Sequence, residues 1–99
     1  MDKFGIPNEY WESIISTIKA CKHVKQINLF GSRAKGNYKT GSDIDLALMG
    51  EDISAKDILS LYVALDTLDL PWKIDLINYH SITEIALIEH IVRCGIVVG

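Results

Sequence analysis

The sequence predicts an α+β domain, α/β-like in its element order, in which helices flank a small mixed β-sheet. Three observations predict it. Apolar residues recur at helical spacing in three stretches. Three short runs rich in β-branched and aromatic residues read as strands. One helix of crossover length separates the second strand from the third, which favours parallel neighbours joined by a right-handed connection.

Taken in order, residues 1–5 read as a loose lead-in. Pro7 suits a first helical turn, where its missing N–H costs nothing. Trp11, Ile14, Ile15 and Ile18 follow helical spacing, so the first helix is expected over residues 7–22. Residues 24–30 read as the first strand. Gly31 and Gly36 bracket a turn, and the polar stretch 37–41 connects it to a second strand over 42–49. Ser54 and Asp57 fit a capping box. Behind them Ile58, Leu61, Tyr62, Leu65 and Leu68 form the apolar stripe of the second helix. Residues 72–78 read as the third strand, with Ile74 and Leu76 on one face and Lys73, Asp75 and Ile77 on the other. Ser81 with Glu84 suggests a second capping box. Ile85, Ile88 and Val92 continue a last helix that Gly95 can close as its C′ residue. The expected order is α-β-turn-β-α-β-α, and the apolar tail Ile96–Gly99 can pack onto the sheet or cover a partner surface.

Ninety-nine residues, 48% of them apolar, support one core, so residues 1–99 are expected to form a single domain. The net charge of −3, with no basic cluster, makes a long polynucleotide a poor main partner. No apolar run is long enough to cross a bilayer and no signal peptide is visible, so no membrane association and a cytoplasmic address are expected. Cys21 and Cys94 fall in separate predicted helices and are expected to be free thiols.

The chemistry concentrates between Ile27 and Met49. Side chains alternate along a strand, so Asp43 and Asp45 should share one face while Ile44, Leu46 and Leu48 enter the core. Two adjacent carboxylates repel, and a hard divalent cation relieves the repulsion. If the second and third strands are neighbours, Asp75 joins the same face. Three acids there could hold two Mg²⁺ ions beside a glycine-serine turn whose N–H groups and hydroxyl suit phosphate oxygens. Gly31 to Gly36 also satisfies G-x-x-x-x-G, but Asn37 and Tyr38 stand where a P-loop needs Lys and Ser or Thr. His23, His80 and His90 are scattered and receive no catalytic role. Trp11 and Tyr62 read as core stripe residues.

G-S-R-A-K-G, then after five residues S-D-I-D-L, then a later I-D-L strand resembles the minimal nucleotidyltransferase family of the DNA polymerase β-like nucleotidyltransferase superfamily. The resemblance covers nearly the whole chain and implies that fold. By position it implies that Asp43, Asp45 and Asp75 are catalytic and bind metal. It likewise assigns the nucleotide to Gly31, Ser32, Arg33 and Ser42, with Arg33 either bracing the turn or meeting a phosphate. Lys35 stands where the family commonly has arginine. Small members resemble the antitoxin of HEPN–MNT toxin–antitoxin pairs, which transfers AMP from ATP to a tyrosine hydroxyl of a HEPN-domain ribonuclease. The HEPN signature R-x-x-x-x-H is absent here, so the resemblance gives this chain the antitoxin role.

The expected function is therefore Mg²⁺-dependent transfer of AMP from ATP to a HEPN-domain protein, with which the chain would form a hetero-oligomer. Two other readings compete: an antitoxin that acts by contact alone, and a nucleotidyltransferase for a small hydroxylated molecule, whose acceptor pocket would require a homo-oligomer. Three like charges held together favour the enzyme, since a bare scaffold has no use for them.

Overall fold

A computed structural model describes residues 2–99. The lead-in is ordered, contrary to expectation. Asp2–Lys3 (β1) and Ile6–Pro7 (β2) pair antiparallel, turning through Phe4 and Gly5, both at positive φ. Trp11 explains why: its indole N–H donates to the Lys3 carbonyl at 2.8 Å, and its ring takes the edge of Phe4 at 6.3 Å. A large amphipathic ring thus holds a two-residue hairpin that has no stability of its own.

Pro7 stands at the N-cap of α1 (Asn8–Lys19), whose Trp11, Ile14 and Ile18 are buried. Then follow β3 (Gln26–Phe30), a single-turn helix α2 (Ser32–Lys35), β4 (Ile44–Met49), α3 (Ala55–Asp66) and β5 (Ile74–Asn78). A 3-10 turn (Tyr79–Ser81), α4 (Ile85–Cys94) and β6 (Ile96–Val97) complete the chain. The sheet order is β5-β4-β3-β6, with β4 and β5 parallel and the other two pairs antiparallel. This is the expected mixed sheet, and its parallel pair is the one joined through α3. The apolar tail completes it as an edge strand on β3, held further by the Val98 N–H donating to the Ile27 carbonyl at 2.9 Å.

The sheet has two unlike faces. Ile27, Leu29, Ile44, Leu46, Leu48, Ile74 and Leu76 point into the main core, against Ile14 and Ile18 of α1 and Leu61 and Leu65 of α3. On the other face Phe30 and Ala47 meet Ile91 of α4 in a smaller cluster that Ile77 and Leu87 extend. Asp45 and Asp75 alternate with Ala47 and Ile77, so they belong to this second face.

Two expectations at the last helix fail. Ser81 ends the 3-10 turn and makes no cap; Glu84 is the N-cap residue of α4 and its side chain does not cap either. The buried stripe runs through Leu87 and Ile91, whereas Ile85 and Val92 are exposed. Ile85, Ile88, Leu87 and Ile91 offer two overlapping apolar stripes, and periodicity alone does not choose between them. Gly95 closes α4 in extended rather than left-handed backbone, because the chain turns directly into β6.

Candidate active site

The register of the central strands brings two of the expected acids together. Asp45 on β4 stands directly beside Asp75 on β5 in the parallel ladder and opposite Phe30 on β3 in the antiparallel one. Asp43 lies one residue before β4, in the approach to the strand rather than within it, and is exposed. The set is open: the carboxylate oxygens of the three acids do not all come within 4.8 Å of one another. Burial pushes the Asp45 carboxyl above the usual carboxylate range, and the Asp75 and then Asp43 charges push it further. His90 and Lys73 pull the other way, and the Lys73 ammonium reaches Asp75 at 3.8 Å.

Gly31 explains how the turn approaches these acids. Its φ is +77°, a region that side chains disfavour, and any Cβ there would strike the Asp45 carboxylate. Gly36 ends α2 in the left-handed conformation with φ +85° and ψ 5°. Between the two glycines the chain has just enough room for one helical turn, which sets Ser32 immediately after the residue that touches Asp45.

Among the described residues Arg33 is the one buried charged side chain, at 1% exposure. Its Nη1 donates to the Phe4 carbonyl at 2.8 Å. Nη2 donates to the Ser42 carbonyl at 2.8 Å and the Thr40 carbonyl at 3.4 Å, and Nε to the same Ser42 carbonyl at 3.2 Å. Tyr38 covers the guanidinium at 5.0 Å. Of the two tasks expected for Arg33, the structure therefore shows bracing; direct contact with a phosphate is corrected, since the fork is sealed inside by backbone carbonyls. Ser42 is drawn into the same framework. Its hydroxyl accepts the Lys39 N–H at 2.8 Å and its own N–H bonds the Lys39 carbonyl, closing the connector into a tight loop ahead of Asp43.

His90 was not expected here. From α4 its Nε2 accepts the Gly31 N–H at 3.2 Å, and its ring lies edge-on to Phe30 at 6.1 Å. It is a positioning contact on the turn. Nothing in the chain order pointed to it, because 59 residues separate the partners.

Asp45 and Asp75 side by side, with Asp43 in the approach to β4, supply the all-oxygen donors that hard divalent cations take, and the glycine turn offers an unobstructed approach for phosphate. A groove of about 800 Å³ between α1 and residues 96–98 includes none of these side chains; its wall is Trp11, Ile15, Val97 and their neighbours.

This fold agrees with the comparison to known families. Residues 12–99 match the family described as Polymerase beta, Nucleotidyltransferase, and the chain belongs to it. Over 58 residues it is 43% identical to the probable protein adenylyltransferase MntA of Haemophilus influenzae, a match spanning 56% of this chain and 49% of that protein. The chain thus matches about half the length of this curated relative. Among solved structures it superposes on a chain of a toxin–antitoxin complex with AMP-PNP at TM-score 0.73 and 25% identity, covering 90% of this chain and 72% of that one. A complex of a tri-AMPylated Shewanella oneidensis HEPN toxin with its MNT antitoxin shares the fold at TM-score 0.66 and 23% identity, covering 90% and 68%.

Proposed function

We propose that this chain is an Mg²⁺-dependent adenylyltransferase that moves AMP from ATP to a tyrosine hydroxyl of a HEPN-domain partner, acting as the antitoxin of the pair. The observation that carries the reading is the pairing of Asp45 with Asp75 beneath a turn that only glycine can form. Its support beyond the geometry is the 43% identity to a probable protein adenylyltransferase and the likeness to a toxin–antitoxin complex holding AMP-PNP.

In this reading the acceptor oxygen attacks the α-phosphorus of ATP, a new P–O bond forms, the bond to the β-phosphate oxygen breaks, and pyrophosphate leaves with the electron pair. Asp43, Asp45 and Asp75 would hold Mg²⁺, which when bound neutralises charge on the phosphates and the attacking oxygen. Gly31 and Ser32 receive the triphosphate. Asp75, at the sheet edge and half exposed, is placed to accept the acceptor's proton. Arg33 and Ser42 act from behind, keeping the turn and the Asp43 approach in place. In this reading the HEPN-domain partner presents the acceptor.

The test is the intact mass of a HEPN-domain neighbour after incubation with this chain, ATP and Mg²⁺, against the Asp43→Asn, Asp45→Asn double variant. Gain of whole AMP units with wild type alone is the expected result. No gain, with the neighbour inhibited equally by both forms, would overturn catalysis in favour of an antitoxin that acts by contact.

A further inference from the structure

A second constellation lies at the opposite end of the sheet. β3 begins there at Gln26, β4 ends there at Met49, and Asp45 is roughly a strand length, about 17 Å, away. Cys21 and His23 belong to the turn that leaves α1, and Asp57 to the first turn of α3. Cys21 Sγ, a His23 ring nitrogen and an Asp57 oxygen all lie within 4.8 Å of one another. Among the described residues this is the one set of three His, Cys, Asp or Glu side chains gathered so closely.

We propose that Cys21, His23 and Asp57 form a binding site for a late divalent transition metal of the Zn²⁺ kind, separate from the acids of β4 and β5. The donor set states the preference. Thiolate and imidazole suit Zn²⁺ and its neighbours, whereas Mg²⁺ takes oxygen ligands. A thiolate and a carboxylate supply two negative charges, which balance a dication, and the neutral imidazole adds none. All three residues are half-buried, so a water or a partner's side chain can take the fourth tetrahedral position.

The ligands sit on fixed backbone. The Val24 N–H bonds the Cys21 carbonyl at 3.1 Å, closing the turn between them. Gly50 lets the end of β4 pass against the His23 carbonyl, where a Cβ would collide. Asp57 is held by the capping box, its Oδ2 accepting the Ser54 N–H at 3.0 Å. His23 Nδ1 and Asp57 Oδ2 are 2.7 Å apart. Two ligands about 2 Å from a tetrahedral ion stand about 3.3 Å from each other, so this gap opens by about half an ångström as the metal replaces the shared proton, while the thiol moves inward. An ion pair plus a helix cap would account for His23 and Asp57; it gives no reason for the Cys21 thiol to converge on both. Bound metal would clip the end of α1 to the start of α3, the two helices of the main core, and would stabilise the folded chain through linkage.

The test uses the full chain, stripped with EDTA and kept reduced, then titrated with Co²⁺ as a spectroscopic stand-in and with Zn²⁺ by calorimetry. One ion per chain is expected, with a thiolate-to-cobalt charge-transfer band, tetrahedral d–d bands and a higher Tm. Cys94→Ser should keep the band. Cys21→Ser should lose it, and His23→Gln should weaken Zn²⁺ binding by at least about tenfold, the loss that even a supporting partner of a ligand produces. Zn²⁺ should also shield Cys21, and not Cys94, from alkylation in the wild-type chain, a readout that needs no variant to fold. Absence of the charge-transfer band, equal alkylation of both thiols with and without Zn²⁺, or binding that survives Cys21→Ser and disappears in the Asp43→Asn, Asp45→Asn variant would overturn the proposal.

Discussion

At the scale of single residues, Asp45 and Arg33 answer opposite demands. Asp45 is held with its carboxyl above the ordinary value of 3.8, by burial first and by Asp75 and Asp43 next. A raised folded value means that its contribution to stability is fully present below the unfolded value and is lost as pH rises through the folded one. Ionised Asp45 therefore strains the fold at neutral pH. Asp45→Asn is expected to raise Tm at pH 7 in EDTA, with the difference disappearing as pH falls below the usual carboxylate range; a Tm lower than wild type at pH 7 would contradict this. The same substitution should abolish transfer, so the site holds a charge that folding alone disfavours. Arg33 is the reverse case, a charge that folding requires. Its planar fork serves the carbonyls of Phe4, Thr40 and Ser42 together. Lysine cannot reproduce the fork. Arg33→Lys is expected to cost about 1–3 kcal/mol for each buried carbonyl left unpaired. The urea midpoint measures it, and an unchanged midpoint would show that the bracing carries no weight.

At the scale of elements, local chemistry sets the helix starts unequally. Ser54 and Asp57 form a reciprocal capping box at α3: the Asp57 N–H donates to Ser54 Oγ at 3.1 Å, and the Ser54 N–H donates back to Asp57 Oδ2 at 3.0 Å. Ser54→Ala should cost about 1 kcal/mol. For a domain of this size that is a fall in Tm of roughly 4–8 °C, read by thermal unfolding. The similar pair Ser81 and Glu84 makes no box, because the 3-10 turn after β5 consumes Ser81 before the helix begins. The same four-residue pattern thus has two fates, and the connection length after the strand decides between them. α3 also protects the free edge of β5. The Tyr62 hydroxyl accepts the Leu76 N–H at 2.8 Å and donates to the Leu76 carbonyl at 3.4 Å, so polar groups of the edge find partners within the chain. Tyr62 was expected as a core residue; at 38% exposure it acts instead as an edge clamp.

At the scale of the molecule, the two sheet faces divide the labour. One face is apolar but for Asn78, whose Nδ2 donates to the Ile53 carbonyl at 2.9 Å, and is covered by α1 and α3, which makes the central strands rigid. The other is only partly covered by α4, and the uncovered end carries the acids. Rigidity on one side is what allows like charges to be kept adjacent on the other, since a parallel ladder does not slip to relieve them. The exposed Ile85 and Val92 lie on the outward side of α4, the helix that also supplies His90 to the glycine turn.

Much of this was readable along the chain. Alternation on β4 and β5, the glycine bracket, the Ser54–Asp57 box and the element order all depend on neighbours a few residues apart, and period and turn chemistry report such relations directly. The sequence by itself determined the mixed sheet, the three acids and the turn beside them. Tertiary structure alone decided the rest: that Asp45 stands level with Asp75, that Arg33 is sealed inside, that His90 meets Gly31, that Trp11 orders the first residues, and that Cys21 and His23 face Asp57. Each of these joins groups that are distant in sequence. Hydrophobic pattern shows which face of an element is buried, but register and packing choose what that face meets.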